Sequence, residues 1–331
     1  MKAFVIGVGG GGDAVSSVLA WHYLRNKGYE AVLGCVTWER FVIDPLPGPM
    51  CGEDFVNSKK INNIITELKK DSYAIRAGKK VIPHLVRVIN ILNTEGYSIC
   101  LKSSPKEIAE GIKDFSIRYN IDTIFGVDAG GDILAKDAEK NLYSPLTDFI
   151  MLTALVELKK HGFNVLLGIV GIGCDGELDQ YYLLKRLSEI AKIGGLIDIK
   201  GYDREIAPIM EKILEISESE ASRIPFEAFK GLYGEVSLRK GSRKAFASPL
   251  SAVMFIVDPE VVAKTSKIYE YIKDAKSFED ANDIMHSLKL YTEYDFELDL
   301  YSKYGVNTTN IGLEDILEIR KEGRKKLFLD N

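Results

Sequence analysis

Asp128 and Asp132 flank the pair Gly130-Gly131 in the stretch DTIFGVDAGGDILAKDAEK, residues 122–140. Thr123 to Val127 reads as an apolar strand, so both carboxylates leave a tight turn at a strand end. Glycine there lets backbone approach a ligand or take positive φ. In open α/β sheets ligands gather outside the carboxyl ends of the strands. Clustered carboxylates repel unless protonated or neutralised, and magnesium is the usual hard-cation solution, shared with substrate phosphate. Asp128 and Asp132 are thus candidate catalytic residues, as metal ligands or general base, and Asp128, Asp132 and Asp175 are the candidate metal set.

Two other strand ends carry the same mixture. Residues 2–8 form an apolar run ending in Gly7, Gly9 and Gly12, a G-x-G-x-x-G match thickened by Gly10 and Gly11 and followed by Asp13 and a helical pattern to about Lys27. Such a βα turn can cradle an anion at the helix N-terminus. The simpler reading is a tight turn with Asp13 as N-cap. Asn164 to Gly168 is a further strand, leading to Gly171, Gly173, Cys174, Asp175 and Glu177. Cys174 has no basic neighbour in sequence to lower its pKa, so a nucleophilic role is not expected.

The elements that position these turns alternate. Ala31 to Thr37 is a strand leading to Glu39, somewhat beyond the place of a ribose-binding carboxylate, and then to a rigid loop, IDPLPGPMCGEDF. Residues 61–75 fit paired short strands or a helix, and His84 to Leu92 a helix whose histidine is packed or solvated. Ser104, Pro105 and Glu107 open a helix. Ser144-Pro145 opens another, with Ser144 as cap or facing the site. Residues 205–231 read as helical with a break near Ile224, before Pro225. The basic run Arg239 to Lys244 fits either a phosphate or carboxylate clamp or a solvated hairpin edge, ahead of a strand pair at 245–247 and 252–257. Residues 260–331 are polar and mostly helical, a covering layer or oligomer surface without a catalytic signature.

The whole predicts an α/β fold: a Rossmann-like, open, mostly parallel sheet with helices on both faces in residues 1–258, and a helical C-terminal extension in 259–331. Three glycine-punctuated exits should then share one cleft. A formal net charge of -5 argues against nucleic-acid binding. No apolar run approaches the roughly 20 residues of a membrane span, and four scattered cysteines fit a reduced, cytoplasmic protein without structural zinc.

The segments VIGVGGGGD, TWERFVIDPLPGP, GVDAGGDILA with SPLTDFIML, and KGSRKAFASPLSAVMFIVDP resemble a mostly archaeal family, domain of unknown function 1152, over roughly residues 3–258. The family pattern has Arg after the PGP turn, where this chain has Met50. It has a Gly-Thr-Arg-like tripeptide where this chain has Gly241-Ser242-Arg243. The resemblance implies an α/β fold and an archaeal cytoplasm, and favours a role for Arg243; it supplies no reaction.

From the residues, the leading expectation is an enzyme acting on a small phosphorylated or nucleotide-like metabolite, assisted by magnesium. Gly9, Gly10, Gly11, Gly12, Asp13, Glu39, Gly130, Gly131, Gly173 and Arg243 are the ligand-binding candidates. Alternatives are an NAD(P)-dependent oxidoreductase, a non-catalytic small-ligand or sensor protein, and a lyase or cyclase on an amino or carboxylic acid. The expected partner is an anionic small molecule, with a homo-oligomer compatible with the long polar C-terminal helices.

Overall fold

A computed structural model describes residues 1–41, 43–308 and 311–329. Its strands are β1 (Lys2–Gly7), β2 (Glu30–Val36), β3 (Phe55–Lys60), β4 (Ile65–Arg76), β5 (Lys79–Val81), β6 (Gly96–Ile99), β7 (Thr123–Ala129), β8 (Asn164–Val170), β9 (Leu196–Gly201), β10 (Gly234–Leu238), β11 (Arg243–Ala247) and β12 (Val253–Val257). The helices are α1 (Asp13–Asn26), α2 (His84–Leu92), α3 (Pro105–Arg118), α4 (Pro145–Lys160), α5 (Gln180–Lys192), α6 (Ala207–Ile216), α7 (Glu220–Phe229), α8 (Pro259–Lys264), α9 (Lys267–Ile272), α10 (Phe278–Ser287), α11 (Glu293–Tyr304) and α12 (Leu313–Leu329).

The main sheet runs β3-β4-β6-β2-β1-β7-β8-β12-β9, with β5 beside β4. Its five central strands, β6-β2-β1-β7-β8, are parallel, and antiparallel strands flank them on both sides. The chain moves outward one way from β1 through β2 and β6, then returns to β1's other side for β7 and β8. The switch point is therefore between β1 and β7, where a doubly wound sheet opens its crevice.

Alternation along β1 explains why both faces are covered. Phe4 and Ile6 enter one apolar cluster with Ile124, Phe149 and Leu155, while Ala3 and Val5 enter the other with Val15, Val18 and Phe125. The first cluster also takes in Ile268, Phe278 and Met285, so the helices after residue 258 share the core of the preceding chain. At α3 the expected Ser104–Glu107 capping box forms, with Pro105 in the first turn.

Of the two readings of residues 61–75 the strand is the one found: residues 65–76 pair to β3 and β6. Other local expectations need correction. The helical break in 205–231 falls at Ser217-Glu218-Ser219, between α6 and α7. Pro225 stays inside α7, so close to Gly171 that a Cβ there would lie 2.3 Å from its ring. Residues 245–247 pair with the unforeseen β10, while β12 joins the main sheet between β8 and the equally unforeseen β9. Cys51 and Cys100 form a disulfide. Forty-nine residues separate them in sequence, but the proline loop after β2 returns to the end of β6. No helix among the described residues is long and apolar enough to cross a membrane.

Candidate functional site

The three glycine exits converge. Gly9, Gly10, Gly11, Gly12, Asp13, Asp128, Asp132, Asp175, Glu177 and Arg243 line one cavity of ≈ 110 Å³ at the switch point. Arg239, from the basic run read as a clamp or a hairpin edge, joins them, and the remaining walls come from places without a site reading in sequence: Arg40, Asp148 at the start of α4, Glu293 and Glu297 of α11, and Arg320 of α12. The helices read as a covering layer without a catalytic signature therefore supply two carboxylates and a guanidinium to the cleft.

Not every candidate reaches the cavity. Glu39 is turned beneath the glycine turn, where its carboxylate accepts the His84 backbone N–H at 2.9 Å and contacts the His84 ring. Burial opposes its charge, but His84 holds it below the usual carboxylate range. It is thus a support of the turn, not a wall of the cavity. A Cβ on Gly11 would lie 2.4 Å from Glu39 Oε1. Gly11→Ala should therefore cost about 1–3 kcal/mol by urea denaturation; an unchanged midpoint would show that the turn can shift.

Gly130, Gly131 and Gly173 also stay outside the lining. Gly130 (φ +123°) and Gly131 (φ +104°) bend the chain sharply after β7, and a Cβ on Gly130 would lie 2.4 Å from the Asp175 carboxylate carbon. Gly173 N–H donates to Gly130 O at 2.6 Å, tying the second exit to the third. These glycines let Asp128, Asp132 and Asp175 share a cavity.

Two amides of the first glycine turn are taken up within the protein. Gly9 N–H donates to Asp13 Oδ2 at 2.7 Å, and Gly11 N–H to Trp38 O at 3.1 Å. The Asp13 carboxylate occupies the place an anion would take in a phosphate cradle. Arg40 closes over it, donating to Gly9 O at 3.0 Å. Met50, where the resembling family has Arg, is fully buried, so that loop offers no such cation.

Ser144 faces the site. Its hydroxyl contacts Glu177 and donates to Asp132 Oδ2 at 3.3 Å. The N-terminus of α4 is capped from afar by Glu293, which accepts Thr147 N–H at 2.9 Å and Leu146 N–H at 3.2 Å. Glu297 accepts Trp38 Nε1–H at 2.7 Å and Gly48 N–H at 3.0 Å, locking α11 to the proline loop. Cys174 is buried, and burial pushes its thiol up to about 12, which leaves no thiolate for nucleophilic work.

The charged groups of the cavity fall into two sets. Oxygens of Asp128, Asp132 and Asp148 lie within 4.8 Å of one another, and so do oxygens of Asp132, Asp175 and Glu177. Asp128 and Asp148 are each 1 % exposed. Asp128 Oδ2, Asp148 Oδ1 and Asp175 Oδ2 are buried without a hydrogen-bond partner. Burial, followed by repulsion from its acidic neighbours, pushes each of Asp128, Asp132 and Asp148 well above the ordinary range. Burial also lifts Asp13 and Asp175 to about 7.

Arg239, Arg243 and Arg320 line the same cavity. Arg243 donates to Glu177 at 2.7 Å, and that pair holds Glu177 ionised despite its burial. Arg239 is pushed down to about 10 and Arg320 to about 9, by burial first and then by Arg243. Arg243 Nε and Arg320 Nε are buried and unpartnered. The cavity thus holds carboxyl oxygens without hydrogen-bond partners together with crowded guanidinium groups.

In metal-free protein the acid wall binds protons that the unfolded chain, with carboxylates titrating near 4, releases. That stabilisation is complete below about pH 4 and is lost as pH rises through about 7. In EDTA the melting temperature should fall between about pH 5 and about pH 8, and millimolar Mg²⁺ should restore more of it at the higher pH. A flat or rising profile by scanning calorimetry would contradict this.

The parallel centre, the switch-point cleft and the flanking helices define a Rossmann-like α/β protein. The family model described as protein of unknown function (DUF1152) matches residues 4–301, and the chain belongs to that family. The match continues past residue 258 and takes in Glu293 and Glu297 of α11. No curated protein and no solved structure matches the chain.

Proposed function

We propose that the protein is an enzyme acting on a small phosphorylated metabolite, with a divalent cation, Mg²⁺ by its oxygen chemistry, held on the acid wall. The observation that carries this reading is that one cavity holds both kinds of unmet group: buried carboxylate oxygens of Asp128 and Asp148 and buried guanidinium nitrogens of Arg243 and Arg320, all without hydrogen-bond partners. A phosphate between a hard cation and arginines meets both needs at once.

In this reading Asp128 and Asp132, with Asp148 or Asp175, hold the cation. When bound, the cation would polarise a phosphoryl oxygen. Arg239, Arg243 and Arg320 grip the phosphate and offset the charge that develops on it. A carboxylate of the acid wall not engaged by the cation takes the proton of the attacking hydroxyl or water. The burial of the site suits a small substrate.

A nicotinamide enzyme fits less well, because Glu39 is engaged by His84 and Asp13 fills the glycine turn. A lyase or cyclase gripping a carboxylate with Arg243 would use the arginines but leave the clustered oxygens of Asp128, Asp132 and Asp148 without a role. The test is a panel of phosphorylated metabolites incubated with Mg²⁺ or with EDTA, following phosphate release and product formation. Turnover of at least one compound, dependent on Mg²⁺ and lost in Asp128→Asn, is expected. Binding without turnover would favour the sensor reading, and no binding at all would reject the proposal.

A further inference from the structure

We propose that the ligand is two-ended: its phosphate enters the inner cavity, and an uncharged, hydroxyl-bearing tail of nucleoside size fills a second cavity that adjoins it. This rests on the phosphate reading above and adds what the rest of the molecule must be.

The inner cavity, ≈ 110 Å³, is smaller than the roughly 300 Å³ at which small-molecule sites begin. It has room for a charged head and little more. The outer cavity, ≈ 440 Å³, falls within that range. Phe41, Arg239 and Ile316 line both, so the two spaces meet at a shared rim. A ligand anchored by phosphate inside therefore extends past that rim.

The linker between α6 and α7 reaches both spaces. Ser219 lines the inner cavity, and Ser217 and Glu218 the outer. Ser217 is 2 % exposed, yet its Oγ has no hydrogen-bond partner. A buried hydroxyl left unsatisfied costs about 1–3 kcal/mol unless something bonds to it. A hydroxyl or ring nitrogen of the tail can do so.

The charge of the outer cavity selects against a second phosphate. Glu215 and Glu218 line it with no ion-pair partner among the described residues. Of the cations there, Lys240 Nζ is tied to Ile311 O at 2.6 Å and Arg223 to Leu214 O, while Arg239 stands at the rim shared with the inner cavity, 3.8 Å from Glu220. Phe41, Leu214 and Ile316 supply apolar surface for a planar or sugar-sized group. Apolar walls, carboxylate acceptors and one orphan hydroxyl suit a nucleoside better than a sugar bisphosphate.

Calorimetric titration of the full chain in Mg²⁺ with inorganic phosphate, with AMP, GMP, CMP and UMP, and with fructose bisphosphate tests this. At least one nucleotide should bind about tenfold or more tighter than both inorganic phosphate and the bisphosphate. Ser217→Val should erase that margin and leave inorganic phosphate affinity within about twofold. Glu218→Lys, at an exposed position and so harmless to folding, should narrow the gap between nucleotide and bisphosphate even if the Ser217 variant does not fold. Equal binding of phosphate and all nucleotides, or a margin that neither variant moves, would overturn the outer-cavity assignment alone. Failure of inorganic phosphate and every nucleotide to bind would remove the phosphate reading and this proposal with it.

Discussion

Asp132→Asn should abolish divalent-cation binding and at the same time raise the melting temperature measured in EDTA. Asp132 belongs to both groups of clustered oxygens, with Asp128 and Asp148 on one side and Asp175 and Glu177 on the other. It is 4 % exposed. Its neighbours in the two groups all add to the burial that already disfavours its charge. Asparagine keeps the volume and removes that repulsion, so metal-free protein gains stability at neutral pH, with about 1–2 °C for each kcal/mol recovered in a chain of 331 residues. The same change removes an anionic ligand. Altering groups that merely orient a ligand costs about 10–100-fold in metal affinity, so a direct ligand should cost about 100-fold or more. Calorimetric Mn²⁺ titration and thermal melts on one preparation check both signs. Loss of stability in EDTA would mean that Asp132 is a structural hydrogen-bonding group.

The second large effect is on stability. Arg243→Met should destabilise the fold by about 3–5 kcal/mol, because it strands the Glu177 carboxylate in a buried site. The Glu177 side chain is fully buried and that of Arg243 is 7 % exposed, so water cannot replace the lost cation. Donors from Tyr143 and Ser144 remain and soften the loss. The double variant Arg243→Met/Glu177→Gln should recover most of the deficit, since it removes the stranded charge. Guanidinium denaturation of the wild type, both single variants and the double variant measures the coupling. Additive effects would show that Arg243 and Glu177 act independently.

Why some of this site could be read from sequence follows from where its residues lie. Asp13, Asp132 and Asp175 each follow a parallel strand by a few residues and Asp128 sits near the end of β7, and a parallel sheet gathers such positions at one edge. Local pattern therefore stood in for distance. Asp148 sits in the first turn of α4, where an acid reads as a capping residue. Glu293, Glu297 and Arg320 lie on helices whose polar texture looks like a solvated surface, and only tertiary packing turns those faces inward. Glu39, a binding candidate somewhat beyond the place of a ribose-binding carboxylate, is captured by His84, from an element the spacing rule ignores. The strand β9 had a usable signal: Ile197 and Ile199 alternate with Asp198 and Lys200. Those isoleucines are about half exposed, so the apolar face does not mark the core.

Anomalous diffraction from a crystal grown with Mn²⁺ and inorganic phosphate tests the central claim most directly. The account predicts an anomalous peak touching the carboxylate of Asp132 and at least one of Asp128, Asp148 and Asp175, with phosphate density between that ion and Arg243 or Arg320. A cavity with no anomalous peak, the acidic side chains bonded to one another and no anion on the arginines, would contradict it.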